Sequence, residues 1–227
     1  MIPSIIVVTG TDTDVGKTVA AAAIAAILIG RGSTVAAYKP TQTGVTSDEP
    51  GDMDMISQLV DIRTTEGVRL LAPMAPRAAA FREGVALPTL TDYVQAIEEL
   101  SRAHDYVIIE GAGGLLVELT DGGETLADLA TTLTECGVVL VARNALGMLN
   151  QVALSREALT HRGIQLLGVI IGAWPKQPSE IELDNRDWLA DTPLLGALPT
   201  GMSMLGAAEF TRSAPSALAA FNATLGT

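Results

Sequence analysis

The feature that leaves this chain least freedom is the stretch Gly10-Thr11-Asp12-Thr13-Asp14-Val15-Gly16-Lys17-Thr18, set between two apolar runs. Residues 5–9 read as a strand with no polar alternation, and residues 18–28 as a helix that is apolar almost all round. A strand buried on both faces, followed at once by a buried helix, belongs in a parallel sheet covered by helices. Gly30 and Gly32 then supply a stop for that helix. The residues between strand and helix have their own chemistry. Backbone N–H groups of such a loop, and a helix N-terminus carrying about +0.5 charge, converge on phosphate oxygens. Lys17 adds a point charge for the β- and γ-phosphates, and the Thr18 hydroxyl can ligate magnesium. Strand, glycine-bounded loop and helix in this order predict a phosphate loop binding a nucleoside triphosphate with magnesium.

The loop departs from the usual spacing. A standard phosphate loop has its first glycine where this chain has Thr11, so Gly10 comes one residue early. Partition-type ATPases carry a second lysine where this chain has Asp12. Asp14 is also unusual, since a carboxylate near phosphates costs energy unless a cation offsets it.

Beyond the loop, short apolar runs at 34–39, 106–110, 138–142, 166–171 and 194–197 read as further buried strands. Helical spacing marks Leu90, Tyr93, Val94, Ile97 and Leu100, with Thr89 or Thr91 as N-cap. Residues 148–160 and 181–189 are further helices by the same reading. This alternation predicts an α/β chain: a single doubly wound, mostly parallel sheet flanked by helices, with residues 1–227 as one domain of phosphate-loop type. The composition agrees, with 48% hydrophobic residues but only 4% aromatic, as an Ala/Val/Leu/Ile core requires. A net charge of -12 repels phosphate backbones and anionic lipid, which disfavours nucleic-acid and membrane partners. Residues 1–10 lack a basic leader and no apolar stretch is long enough for a bilayer, so a cytoplasmic protein is expected. The one cysteine, Cys136, reads as a small core residue, and His104 and His161 as surface residues near helix ends.

Three further segments carry polar groups where a ligand would need them. Tyr106-Val-Ile-Ile-Glu110-Gly-Ala-Gly-Gly114 is an apolar strand ending in a carboxylate, suited to magnesium opposite a phosphate loop. Ala37-Tyr38-Lys39-Pro40-Thr41-Gln42-Thr43-Gly44 ends the second strand, and carboxyl ends of strands face the ligand crevice. Lys39 there can sit beside Lys17 and gather negative charge. Gly51-Asp52-Met53-Asp54 begins a helix, and taken alone either aspartate is more simply an N-cap. Residues 44–51, rich in Pro, Gly and Asp, read as an active-site loop.

Together, Gly-Thr-Asp-Thr-Asp-Val-Gly-Lys-Thr, Tyr-Lys-Pro-Thr-Gln-Thr-Gly, Asp-Met-Asp and Glu-Gly-Ala-Gly-Gly resemble the dethiobiotin synthetase family. The likeness also takes in Ala72-Pro-Met-Ala-Pro-Arg-Ala-Ala, Ala145-Leu-Gly-Met-Leu-Asn150 and Pro193-Leu-Leu-Gly-Ala-Leu-Pro199. It implies a ligase of biotin synthesis that joins 7,8-diaminopelargonate to CO2 (from bicarbonate) at the expense of ATP or another nucleoside triphosphate. By the same resemblance, Thr18, Asp54 and Glu110 hold magnesium, with Asp52 as helper, and Lys17 and Lys39 are catalytic. Nucleotide binding falls to Asp14, Val15, Gly16, Lys17, Thr18 and Val19, with Asp54, Glu110, Gly111, Ala112 and Gly113. Gly172, Ala173, Pro199, Thr200 and Gly201 complete the nucleotide set. Thr13 and Thr43 meet the diamine, while Gly147 and Asn150 receive its distant carboxylate from the second subunit of a homodimer. Two positions depart from the family pattern. Gly172-Ala173-Trp174 stands where the family commonly has Asn-Asp, which removes an amide that can read adenine and predicts weaker base selectivity. Trp174 is open to either base stacking or packing. Gln151 stands where the family often has histidine, beside the carboxylate-binding asparagine.

The alternative is a nucleotide-switched localisation ATPase of the partition type, which shares fold and loop. Asp12 and the lack of a basic membrane-targeting helix count against it. A cobyrinate amidotransferase would need a glutaminase domain, and a small-molecule kinase an Arg-rich lid, for which Arg77 and Arg82 are too scattered.

Overall fold

The computed structural model describes residues 2–189 and 192–226. The strands are β1 (Ile5–Gly10), β2 (Val35–Thr43), β3 (Arg63–Leu70), β4 (Tyr106–Gly114), β5 (Cys136–Ala142), β6 (Gln165–Trp174) and β7 (Leu194–Pro199). They form one sheet in the order β3-β2-β4-β1-β5-β6-β7, and each neighbouring pair is parallel. The helices are α1 (Lys17–Gly30), α2 (Asp52–Leu59), α3 (Pro76–Glu83), α4 (Leu90–Ser101), α5 (Leu126–Thr132), α6 (Met148–His161), α7 (Glu180–Asp187), α8 (Ala207–Ala217) and α9 (Ala219–Thr224). The doubly wound α/β architecture expected from the pattern is present, and more uniformly parallel than expected.

Strand β1 shows why the apolar runs do not alternate. Ile6 and Val8 point into a layer with α1, α2 and α8, while Ile5 and Val7 point into the opposite layer with α4 and α5. With both faces covered, every position must be apolar. Helix α1 is apolar all round for a related reason: it lies on the sheet and is itself overlain by α2 and α8. Its run Ala20–Ala21–Ala22–Ala23 is fully buried, and alanine lets the neighbouring backbones approach without loss of helix propensity.

Strand β3 was not foreseen. Its residues Arg-Thr-Thr-Glu-Gly-Val-Arg-Leu are polar and half exposed, because it is the sheet edge and pairs with β2 alone. Short helices α3, α5, α8 and α9 also escaped the periodicity reading. Of the two candidate caps, Thr89 is the one used: its hydroxyl accepts from Asp92 N–H at 3.2 Å, and Asp92 accepts the Thr89 N–H at 2.8 Å. Cys136 opens β5, and burial pushes its thiol up to about 12. No helix among the described residues is long and apolar enough to cross a membrane.

Candidate active site

A cleft of about 520 Å³ opens at the carboxyl ends of β1, β2 and β4, where the phosphate loop leads into α1. Its floor is made by Gly16, Lys17, Thr18 and Val19, and one wall by Lys39, Gln42 and Thr43. Glu110, Ala112 and Gly113 of the neighbouring strand line it as well, as do Thr13, Asp14, Asp52 and Met55.

The loop's shape explains its odd glycine spacing. A side chain at position 10 would lie 2.7 Å from both the Asp12 carbonyl and Val15 Cγ2, so the early glycine is the residue over which the loop folds back. Asp14 adopts a left-handed φ of 53°, which Asp tolerates better than most residues, and Gly16 follows at 95°. Successive turns of this kind point main-chain N–H groups inward, the arrangement that binds anions. Lys17 is buried, and its ammonium donates to the Asp12 carbonyl at 2.9 Å across the loop. Burial pulls its pKa down and neighbouring Lys39 adds to this, against the pull of Glu110 and Asp52. The negative charge of a polyphosphate would offset that cost of burial.

Behind the loop lies a second charge, at the core of the sheet. Lys39 is 3% exposed and Glu110 1%. The Lys39 ammonium donates to Glu110 Oε1 at 2.9 Å and pairs with Asp52 Oδ2 at 2.5 Å. The Thr18 hydroxyl donates to the same Glu110 oxygen at 3.0 Å. Burial alone would lower the Lys39 pKa, but two carboxylates outweigh it and hold the ammonium charged. Burial drives Glu110 up, with Asp52 adding to the push and Lys39 opposing it. Asp52, nearer the cleft mouth, is held below the usual carboxylate range by Lys39 despite its own burial.

These groups fit a magnesium ion. Glu110 Oε2 is buried and has no hydrogen-bond partner, an arrangement that costs energy unless a ligand completes it. Beside it stand a second carboxylate and a threonine hydroxyl, hard oxygen donors of the kind magnesium takes. No group of three His, Cys, Asp or Glu side chains able to hold a metal occurs among the described residues. Magnesium does not need one, because phosphate oxygens and water complete its shell.

Asp54 does not join this cluster, contrary to the expectation. Its carboxylate accepts the Gly51 N–H at 2.7 Å and pairs with Arg69 at 3.5 Å, on the outer side of the α2 N-terminus. Two residues along a helix turn a side chain by about 200°, so Asp52 and Asp54 cannot both face one cleft. Asp52 is the one that faces in; neither aspartate is the N-cap, which is Gly51, and Asp54 caps that residue's N–H from the third helical position. Val15 and Gly111 are buried: Val15 packs in the core beneath the loop, and Gly111 packs against Leu126.

On the other flank, a side chain at Gly172 would lie 1.6 Å from the Val15 carbonyl, and one at Gly16 would lie 2.8 Å from the Gly172 carbonyl. The loop therefore rests directly on β6, backbone to backbone. Ala173, Pro199, Thr200 and Gly201 form an exposed rim, where the Thr200 N–H donates to the Trp174 carbonyl at 2.9 Å. Trp174 packs against the buried cluster that includes Ile171 and Leu189, with the Arg186 guanidinium over its ring at 5.2 Å. Packing is thus its role in this structure. Gly147, with φ of 95°, precedes the first turn of α6, and Asn150 is exposed on it. Neither lines the cleft. Gln42, Val45, Met55 and Ser203 line it too, without a role expected from the sequence; no local pattern marks them, since a strand, a loop, a helix and a distant turn each carry one of them in.

The AAA domain family model matches residues 4–204. Among curated relatives, the chain is 42% identical to the ATP-dependent dethiobiotin synthetase BioD of Parafrankia sp., over 97% of this chain and 96% of that one. It is 44% identical to the BioD of Rhodococcus erythropolis, over 95% and 96% of the two chains. It is 46% identical to that of Mycobacterium avium, over 91% and 92%. Among solved structures, the cell division ATPase MinD of Pyrococcus furiosus aligns with a TM-score of 0.62 at 16% identity, covering 99% of this chain and 98% of its own. The septum site-determining protein MinD of Pyrococcus horikoshii aligns at 0.61 and 16%, covering 100% and 97%. At such identities these structures show a shared fold and nothing finer. The full-length sequence relatives decide the matter, and with a phosphate loop facing a buried Lys–Glu pair and its neighbouring Asp52, the chain belongs to the ATP-dependent dethiobiotin synthetase family.

Proposed function

We propose that this chain, acting as a single phosphate-loop domain, carries out magnesium-dependent closure of a cyclic urea on 7,8-diaminopelargonate with CO2 and a nucleoside triphosphate. Family membership makes it a ligase that forms carbon–nitrogen bonds using ATP. The finer class, a cyclo-ligase, follows from the substrate: two neighbouring amines joined through one carbon. One amine adds to CO2 and loses a proton, giving a carbamate. A carbamate oxygen attacks the γ-phosphorus, and the nucleoside diphosphate leaves. The second amine attacks the carbonyl carbon of the mixed anhydride, the C–O bond breaks, and inorganic phosphate departs with the ring closed.

The observation that carries this reading is Lys39, a charged ammonium held in the core between Glu110 and Asp52, on the wall that faces the phosphate loop. A cation fixed there before substrate arrives suits an anionic carbamate meeting an anionic phosphate, and costs little reorganisation during transfer. Lys17 serves the β- and γ-phosphates from the loop, and Thr13 and Thr43 at the cleft wall serve the diamine. Thr18, Glu110 and Asp52 would hold magnesium, with Asp52 replacing Asp54 in that role. When bound, the metal neutralises β- and γ-phosphate charge. Base recognition would come from the rim of Ala173, Pro199, Thr200 and Gly201, whose groups on offer are largely main chain.

The α6 N-terminus at Gly147 and Asn150 lies away from the cleft, and beside it Leu146 is 90% exposed. That exposed leucine supports a homodimer with shared sites, in which a second copy covers Leu146 and presents this helix end to the substrate carboxylate of its partner. A net charge of -12 accords with a cytoplasmic enzyme free of nucleic acid and membrane.

Phosphate release from ATP, with magnesium and bicarbonate, should depend on added diamine and yield the cyclic urea. Slow hydrolysis indifferent to the diamine would favour a nucleotide-switched ATPase instead, the role that the MinD-like fold alone leaves open.

A further inference from the structure

Arg69 lies on the edge strand β3, in register with Gln42 of β2, and takes no part in the cleft itself. Its guanidinium has five N–H donors, and the fork is nearly saturated. Nε and Nη2 grip Glu66 at 2.9 and 2.8 Å. Nη1 donates to the carbonyls of Thr46 and Glu49 at 2.9 and 2.7 Å, and Nη2 reaches Asp54 at 3.5 Å. The two carbonyls belong to the loop 44–51, and Asp54 caps the N–H of Gly51, the last residue of that loop. The next residue is Asp52, whose N–H donates to the buried Gln42 side chain at 2.9 Å.

A single side chain thus ties the middle of the loop and the first turn of α2 to the sheet edge. Loops of this composition are otherwise free to sample many conformations. The backbone that brings the Asp52 carboxylate to 2.5 Å from Lys39 is thus held by Gln42 on one side and by the contacts of Arg69 on the other. We infer that Arg69 is a positioning residue: by clamping residues 46, 49 and 54 it aims the Asp52 carboxylate into the cleft and thereby sets the affinity for the metal–nucleotide. This rests on the reading of Asp52 as a metal-facing carboxylate. Lysine cannot replace Arg69, since it is a point charge and cannot grip a carboxylate and two carbonyls in one plane.

The test is Mn²⁺ titration in the presence of ADP, followed by water-proton relaxation, on Arg69→Lys, Asp52→Asn and the double variant, with thermal unfolding recorded for each. Arg69→Lys should weaken Mn²⁺ about tenfold to a hundredfold, as loss of a group orienting a ligand does, while metal-free ADP binding stays within about threefold. In the Asp52→Asn background the same change should add less than about threefold, because both act through one carboxylate. Equal losses in both backgrounds, or no loss from Arg69→Lys, overturn the assignment to Arg69 while leaving Asp52 its role. Unchanged Mn²⁺ binding in Asp52→Asn takes down both. Should Arg69→Lys fail to fold, Glu66→Gln, which loosens the guanidinium plane, must give the same loss in smaller degree for the inference to stand.

Discussion

The two flanks of the cleft are built on opposite principles. Along β1, β2 and β4 the polar groups are inside the protein: Thr9, Lys39, Thr41, Gln42 and Glu110 are all buried. Along β6 and β7 the same edge of the sheet presents Ala173, Pro199 and Thr200 to solvent, with contacts made by main chain. A buried charge is costly unless it is paired, so each one on the first flank constrains its neighbours, and the geometry exists before any ligand binds. An exposed rim of small residues imposes no such conditions. The first flank is therefore exacting about residue identity, and the second about space.

That contrast can be broken most directly at Lys39. Lys39→Ala should lower turnover about 10²- to 10³-fold, the scale for losing one preorganised electrostatic group, while nucleotide binding stays within about threefold. It should also leave Glu110 without its buried partner, lowering stability by about 3 kcal/mol in the absence of ligand. Steady-state kinetics beside equilibrium nucleotide binding checks this, and undiminished turnover would remove Lys39 from the chemistry.

The neighbouring aspartates sharpen the comparison on the exacting flank. Asp52→Asn should raise the magnesium concentration for half-maximal rate by about tenfold to a hundredfold, on the scale of losing a ligating or orienting group. Asp54→Ala should instead cost about 1 kcal/mol of stability as a lost cap, seen in thermal melts, and should raise the magnesium requirement less than Asp52→Asn does, since it loosens only one of the contacts of Arg69. A reversed pattern would return the metal role to Asp54.

On the second flank, space is the variable. Gly172→Asn forces a side chain against the Val15 carbonyl and should displace the phosphate loop, weakening nucleotide binding about tenfold or more, equivalent to some 1.4 kcal/mol. Ala173→Asn, one residue on and exposed, should be silent in the same titration. The smallest effect concerns the base. Turnover with ATP, CTP and GTP should lie within about tenfold, because without a fixed amide the rim has few groups with which to discriminate. A preference of a thousandfold for one base would show a reader elsewhere on the rim.

The sequence made some of this plain and hid the rest for identifiable reasons. The phosphate loop was legible because its parts are contiguous, and Lys39 and Glu110 because each follows directly on an apolar run that announces a buried strand. Strand β3 was not legible: as an edge strand it has no buried face pattern, and its polar residues serve the loop beside it. Which of Asp52 and Asp54 faces inward was not legible, because a motif records order along the chain, whereas the turn of a helix decides which carboxylate enters the cleft. Arg69 carries no signal at all, since its partners lie 3 residues away at Glu66, 15 at Asp54, and 20 and 23 away in the loop.

What the sequence determined by itself was the class of fold, the phosphate loop and the family, since each depends on local periodicity or on near neighbours in the chain. What the tertiary structure alone decided was which groups share one space. It set Lys39 between Glu110 and Asp52, seated the loop on Gly172, and turned Asp54 outward to Arg69. Those are matters of burial and long-range register, and the free energy of a buried charge depends on neighbours that the chain brings together only when it folds.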